Sequence, residues 1–108
     1  MRYAVRLTAS AELDLAEITG YISRFDSPEK AHYVLDRLWE VVDSLTTLPQ
    51  RGSVPREFHA LGIRQYRQVF FKPYRLIYSV EAKTVWVRVI VDGRRDMESL
   101  LQRRLLAE

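Results

Sequence analysis

TVWVRVIVDGRRD, residues 84–96, is the stretch from which the rest of the chain can be read. Its first eight residues alternate, with Val85, Val87, Val89 and Val91 on one side and Trp86, Arg88 and Ile90 on the other. Period two with β-branched residues marks a strand whose two faces meet different surroundings. The run stops at Asp92-Gly93, a turn pair in which glycine is free to take a positive φ. It then delivers two adjacent arginines, Arg94 and Arg95, followed at once by Asp96. Such a strand needs neighbours. Residues 73–80, PYRLIYSV, supply one through the short turn at Glu81, Ala82 and Lys83. Residues 63–71, IRQYRQVFF, supply a second, polar and arginine-bearing one. Turns this short join antiparallel strands, because a parallel return needs a dozen residues or more.

Upstream, residues 2–8 place Tyr3, Val5 and Leu7 opposite Arg2 and Arg6, again a half-buried strand. Thr8 or Ser10 can cap a following helix whose first turns hold Glu12 and Asp14, favourable at the positive end of a helix dipole. Its apolar stripe is Ala11, Leu15, Ile18, Ile22 and Phe25. Ser27-Pro28 caps and starts a second helix with the stripe Ala31, Val34, Leu38, Val41, Leu45 and Leu48, ending before Pro49. Trp39 and Val42 widen that stripe, so the helix should touch the sheet as well as its partner. Residues 49–62, with two prolines and two glycines, read as a loop. From Asp96 a short amphipathic helix carries Met97, Leu100, Leu101 and Leu105. The order β-α-α-β-β-β-α is an α+β fold, a small antiparallel sheet packed against an α-helical hairpin. The sheet face away from the hairpin is expected to be uncovered, or only partly covered, and basic.

The 108 residues make one domain, 1–108, with 47% hydrophobic and 29% charged content, as in a globular chain and unlike a disordered one. No apolar stretch approaches a bilayer span, and the alternating N-terminus is no signal peptide, so a cytoplasmic protein without membrane contact is expected. Without cysteine there is no disulfide, thiol nucleophile or thiolate metal site. His32 and His59 are the only imidazoles, and neither has carboxylates at metal-ligand spacing; no metal and no cofactor is expected. Charge is unevenly spread. Residues 1–50 hold 5 Lys/Arg against 8 Asp/Glu, residues 51–108 hold 12 against 6, and fourteen of the seventeen basic residues are arginine. A basic C-terminal half suits nucleic acid or an acidic protein partner equally.

The residues expected to bind a partner or phosphate are Arg64, Arg67, Lys72, Arg75, Arg88, Arg94 and Arg95. They come from the three C-terminal strands and their ends, and antiparallel pairing can bring several to one anionic ligand. Arg75 shares a face with Ile77 and Ser79, away from the more apolar set of Tyr74, Leu76, Tyr78 and Val80. Arg75 and Arg95 lead, because rigid strand residues beside them would preorganise them. The plain alternative is a solvated basic surface neutralised by Asp92, Asp96, Glu57 and Glu81. Asp92 has a turn role and Asp96 a helix-capping role, which leaves neither for catalysis. Arginine holds its proton at neutral pH and cannot shuttle one. After Tyr78 there is no further tyrosine or histidine, so no acid/base pair is visible and no catalytic residue is assigned.

LTASAELDLAEI after the first strand, LTTLPQRG after the second helix, then KPYRLIYSV and VRVIVDGRRD in this order and spacing, resemble the RelE/ParE superfamily over essentially the whole chain. These are the toxins of type II toxin–antitoxin modules, linked to growth arrest and plasmid stabilization. The resemblance implies a cognate antitoxin as partner, as an acidic segment that folds onto the basic face. It also implies one of two targets. ParE-like members inhibit DNA gyrase, and RelE-like members are ribosome-dependent mRNA endonucleases. In the latter a phosphate-binding arginine falls on Arg75 and another on Arg95, so these two would be the catalytic candidates of a ribonuclease. The RelE-like pattern has lysines where this chain has Tyr66 and Gln68, and a C-terminal tyrosine where it has Leu101. Those departures favour the ParE-like branch. A non-toxic, basic nucleic-acid-binding module is the third reading.

Overall fold

The computed structural model describes residues 2–106. Strand β1 (Ala4–Leu7) runs into helix α1 (Ala9–Phe25), and α2 (Pro28–Ser44) folds back along it. Of the two candidate caps Thr8 is used, its Oγ1 accepting the Ala11 N–H at 3.1 Å. At α2 the Ser27 Oγ accepts the Lys30 N–H at 3.0 Å, with Pro28 in the first turn. A four-residue helix, α3 (Arg56–His59), interrupts the expected loop. Strands β2 (Tyr66–Phe71), β3 (Tyr74–Glu81) and β4 (Thr84–Asp92) follow, then α4 (Met97–Leu101) and a π-helical turn, Gln102–Leu106.

The sheet order is β1-β4-β3-β2. The β2-β3-β4 meander is antiparallel as expected, but β1 pairs with β4 in parallel, Ala4 opposite Thr84 through Leu7 opposite Val87. The sheet is therefore mixed. The helical hairpin lies across one face and buries Ile22, Val34, Leu38, Val42 and Leu45 against Val69, Leu76, Tyr78, Val85, Val87 and Ile90. Two stripe residues do not take part: Phe25 is 67% and Leu48 58% exposed. Leu48 lies past the end of α2, which stops at Ser44.

The opposite face is not open. Phe58 of α3 and Met97, Leu100 and Leu101 of α4 close over Ile77, Val89 and Val91 as a second core. Burying each such side chain is worth roughly 1.5–3 kcal/mol. Residues 49–62 and the C-terminal segment are thus part of the fold, and the sheet face expected to be basic and uncovered, or only partly covered, carries a second apolar layer with clefts at its rim.

The even alternation of β4 is also corrected. Ile77 stands opposite Val89 and Tyr78 opposite Val87, which leaves Arg88 as an extra residue. Such a bulge shifts the side-chain phase by one. Val85 and Val87 face the hairpin, Ile90 takes over that face after the bulge, and Val89 and Val91 turn to the second core. The bulge lies where β1 ends, since Val87 is its last partner. Beyond it the Asp14 carboxylate of α1 accepts the Ile90 N–H at 3.0 Å, and Arg104 donates to the Arg88 carbonyl at 3.0 Å. Arg104 and Asp14 are joined by two bonds of 3.0 and 2.8 Å. This pair continues the work of β1 along an edge that would otherwise hold unpaired backbone groups.

Candidate functional site

Arg75 sits on β3 facing the second core, and it is buried, with 8% of its surface exposed. Two features let it lie there. Its neighbour across the turn, Gly93, leaves room for the stem: a Cβ on Gly93 would stand 2.8 Å from Arg75 Cδ and 2.9 Å from Cγ. The expected reason for that glycine, a positive φ, does not hold. Among the described residues positive φ belongs to Ala82 (56°) and Gly62 (69°). The second feature is Glu57 on α3. Arg75 Nη1 donates to Glu57 Oε2 and Nη2 to Oε1, each at 2.9 Å, and Nη2 also donates to Gln68 Oε1. The Arg75 Nε is buried and without a partner.

This pair has the parallel two-bond geometry that makes arginine–carboxylate contacts strong. Its side chains are only 10% and 13% exposed. The Arg75 hydrogen bonds hold the Glu57 carboxyl below its ordinary value of 4.5, against the opposing effect of burial. Arg75 therefore arrives at the site with its charge already matched.

Two clefts meet at Arg75. One, of about 350 Å³, is lined by Arg56, Glu57, Arg75, Arg95, Asp96 and Glu98. The other, of about 600 Å³, adds Ser53, His59, Gln68 and Phe70. The larger cleft elsewhere, about 710 Å³ with Trp39, a half-buried Trp86 and Leu15 on its wall, contains none of the expected site residues. A third, of about 420 Å³, has Ile18, Tyr21, Ile22 and Tyr74 below Arg94 and Arg95.

The other expected residues divide by what they touch. Arg67 donates to the Gly52 carbonyl at 2.6 Å, fastening the 49–53 segment to β2. Arg88 is bound to Ser79 Oγ at 2.8 Å and to Glu81 at 2.5 Å. Both act in the fold, and neither reaches the clefts around Arg75. Arg94 is paired with Asp92 through its Nε at 2.9 Å and Nη2 at 2.5 Å, yet 78% of its side chain is exposed. That contact, chiefly the side-chain hydrogen bond, lowers the pKa of Asp92. Arg64, Lys72 and Arg95 are not buried, and no side-chain partner is found for them among the described residues. The neutralising set named as the alternative thus claims three arginines, Arg75 by Glu57, Arg88 by Glu81 and Arg94 by Asp92. Asp96 caps α4, accepting the Ser99 N–H at 3.3 Å.

The sheet does bring Arg75 and Arg95 to one cleft. Helix α3 adds Arg56 to that cleft and sets His59 in the adjoining one with Arg56 and Arg75, and the sequence pattern placed neither there. The only signal for them was position in the 49–62 loop, and the alternating spacing that exposes a strand residue says nothing about a loop residue. Tyr66 turns away, its hydroxyl 3.5 Å from the Leu105 carbonyl. No cluster of three or more His, Asp and Glu among the described residues could hold a metal.

Known proteins share this architecture. A family model described as "ParE toxin of type II toxin-antitoxin system, parDE" matches residues 5–97. No curated sequence matches. Among solved structures, a chain of the chromosomal ParDE system from P. aeruginosa is similar with a TM-score of 0.70 and 21% identity, over 84% of this chain and 96% of that one. A chain of the toxin–antitoxin complex RelBE2 from Mycobacterium tuberculosis is similar with a TM-score of 0.60 and 22% identity, over 85% and 99%. Identities this low speak for the shared fold.

Proposed function

The chain belongs to the ParE toxin family of type II toxin–antitoxin systems, and from that premise we propose that it arrests growth by binding DNA gyrase and blocking it without a catalytic step of its own. A cognate antitoxin neutralises it in the cytoplasm, and the module can serve plasmid stabilization. The similar solved chains come from a ParDE system and a RelBE2 complex, which supports an antitoxin as partner. Among the described residues no helix is long and apolar enough to cross a membrane.

The observation that carries the choice of target is the state of Arg75. A ribonuclease needs a phosphate anchor and a proton-transferring group beside it. Here the buried arginine is matched by Glu57 within the chain. Partner contacts then fall to the outward cations, Arg64, Lys72, Arg94 and Arg95. One observation favours the RelE-like reading: His59 lines the same cleft as Arg56 and Arg75, and an imidazole is a competent acid or base at neutral pH.

The deciding experiment adds the purified protein to gyrase and, separately, to translating ribosomes. The expected result is loss of supercoiling with ribosome-bound message left whole. Cleaved message that Arg75→Ala or His59→Ala abolishes, with supercoiling intact, would establish the ribonuclease instead.

A further inference from the structure

We propose that the Arg75 fork is an oxyanion site which the chain fills from within: the Glu57 carboxylate stands where two oxygens of an external phosphate-type anion would, and the cleft accepts such an anion only when that carboxylate is removed. This goes beyond the toxin's target but rests on the same Arg75–Glu57 pairing that the gyrase reading uses.

Geometry is the first support. Two parallel bonds of 2.9 Å from Nη1 and Nη2 are the fork that arginine offers equally to a carboxylate and to two phosphate oxygens. Unspent bonding capacity is the second. Arg75 is 8% exposed, and its Nε has no partner even with Glu57 and Gln68 in place. The third is the surroundings. Arg56 and Arg95 line the cleft of about 350 Å³ above Arg75, which is roomy enough for a tetrahedral oxyanion. Three arginines there face three carboxylates, Glu57, Asp96 and Glu98, and Asp96 is committed to capping α4.

Glu57 decides occupancy by being tethered. A carboxylate on the same chain competes with free phosphate at a high effective concentration, so the closed fork turns solvent anions away. Once that charge is gone, a buried guanidinium without a counter-ion is strongly disfavoured, and the fork draws an anion from solution.

The test titrates inorganic phosphate into the ¹⁵N-labelled full chain at constant ionic strength and follows the arginine side-chain N–H resonances. Wild type, Glu57→Gln, Glu57→Ser and Glu57→Gln/Arg75→Lys are compared, and either single replacement suffices if it keeps the wild-type backbone spectrum. The expected result is saturable movement of the Arg75 signal in a Glu57 replacement, at least about tenfold tighter than in wild type and lost with Arg75→Lys. The same replacement should melt at higher temperature with added phosphate, whereas wild type should not. Saturable binding of phosphate at Arg75 of wild type as tight as in the replacements overturns the proposal. So does a folded replacement whose Arg75 ignores phosphate, which would make the pair a structural clasp only. Failure of both replacements to fold overturns it as well, because the emptied fork would then have no independent existence. Phosphate held at Arg75 of wild type would also reopen the ribonuclease reading, whereas a folded replacement that ignores phosphate leaves the gyrase reading untouched, so the two failures are distinguishable.

Discussion

Arg75 was legible as a strand arginine pointing away from the more apolar set, and Glu57 as one of four carboxylates able to neutralise the arginines; which carboxylate takes which arginine was not. The residue that claims it lies 18 positions upstream in a segment without periodicity, and no local pattern connects the two. Gly93 was legible as special and misread in kind: it is required for the space it leaves beside the arginine stem, not for its backbone angle. Removing one partner from a buried pair leaves an uncompensated charge, so Glu57→Ala should destabilise the fold by about 3 kcal/mol. Replacing both residues by apolar ones of similar volume should cost much less than the two single changes added together. Urea denaturation of the four proteins of that cycle checks both statements. The pair also sets a pH dependence. The folded-state pKa of Glu57 is depressed, so its contribution is present above the unfolded value near 4.5 and is lost as pH falls through the lower, folded one. Glu57→Gln should flatten the unfolding free energy across that acid window while leaving its slope above pH ~6 unchanged.

Elements were more legible than their phases. Both helices of the hairpin, their caps and the three-strand meander follow from spacing and turn residues, whereas the bulge at Arg88 does not. Residues 84–91 read as one unbroken alternation, and what breaks it is the partner strand's register, a tertiary fact. The bulge and the early end of β1 together leave the β4 edge to Asp14 and Arg104. Asp14→Ala should therefore do more harm than an ordinary helix substitution. It strips the Ile90 N–H of its acceptor and leaves Arg104 half-buried without its partner, for a combined loss of about 2–4 kcal/mol. Chemical denaturation measures the loss, and amide exchange at Ile90 should quicken more than at Leu76 in the same protein. The β3–β4 turn gives a change in the opposite direction. Ala82 holds φ at 56°, a region that disfavours side chains, so Ala82→Gly should be stabilising by up to about 1 kcal/mol. A rise of a few degrees in melting temperature would register it.

At the scale of the whole molecule, the two apolar layers explain why the expected basic sheet face is absent. The sequence excess of arginine in residues 51–108 is real, but a large part is spent inside: Arg67 on backbone, Arg75 and Arg88 on carboxylates, Arg104 on Asp14. Composition counts charges without saying which are already answered, so the fold class could be read ahead while the working surface could not. What remains outward is a smaller group near the end of β4 and the strand turns. Arg95 is exposed at the junction of two clefts, Arg94 is largely exposed beside it, and Lys72 and Arg64 lie outward on the connections around β2. Surface cations of this kind add little to stability, because water already solvates them well. Their effect should appear in encounters instead, where exposed positive charge steers an acidic partner and salt screens the attraction. Reversing Arg94 and Arg95 together to glutamate should leave the melting temperature within a few degrees of wild type. It should slow association with the antitoxin by about tenfold or more at low ionic strength, and the difference should shrink as salt is raised. Stopped-flow association rates across a salt series decide it. An unchanged rate constant, or a loss that salt does not diminish, would move the partner surface away from this end of the sheet and toward the apolar cleft beside Trp39.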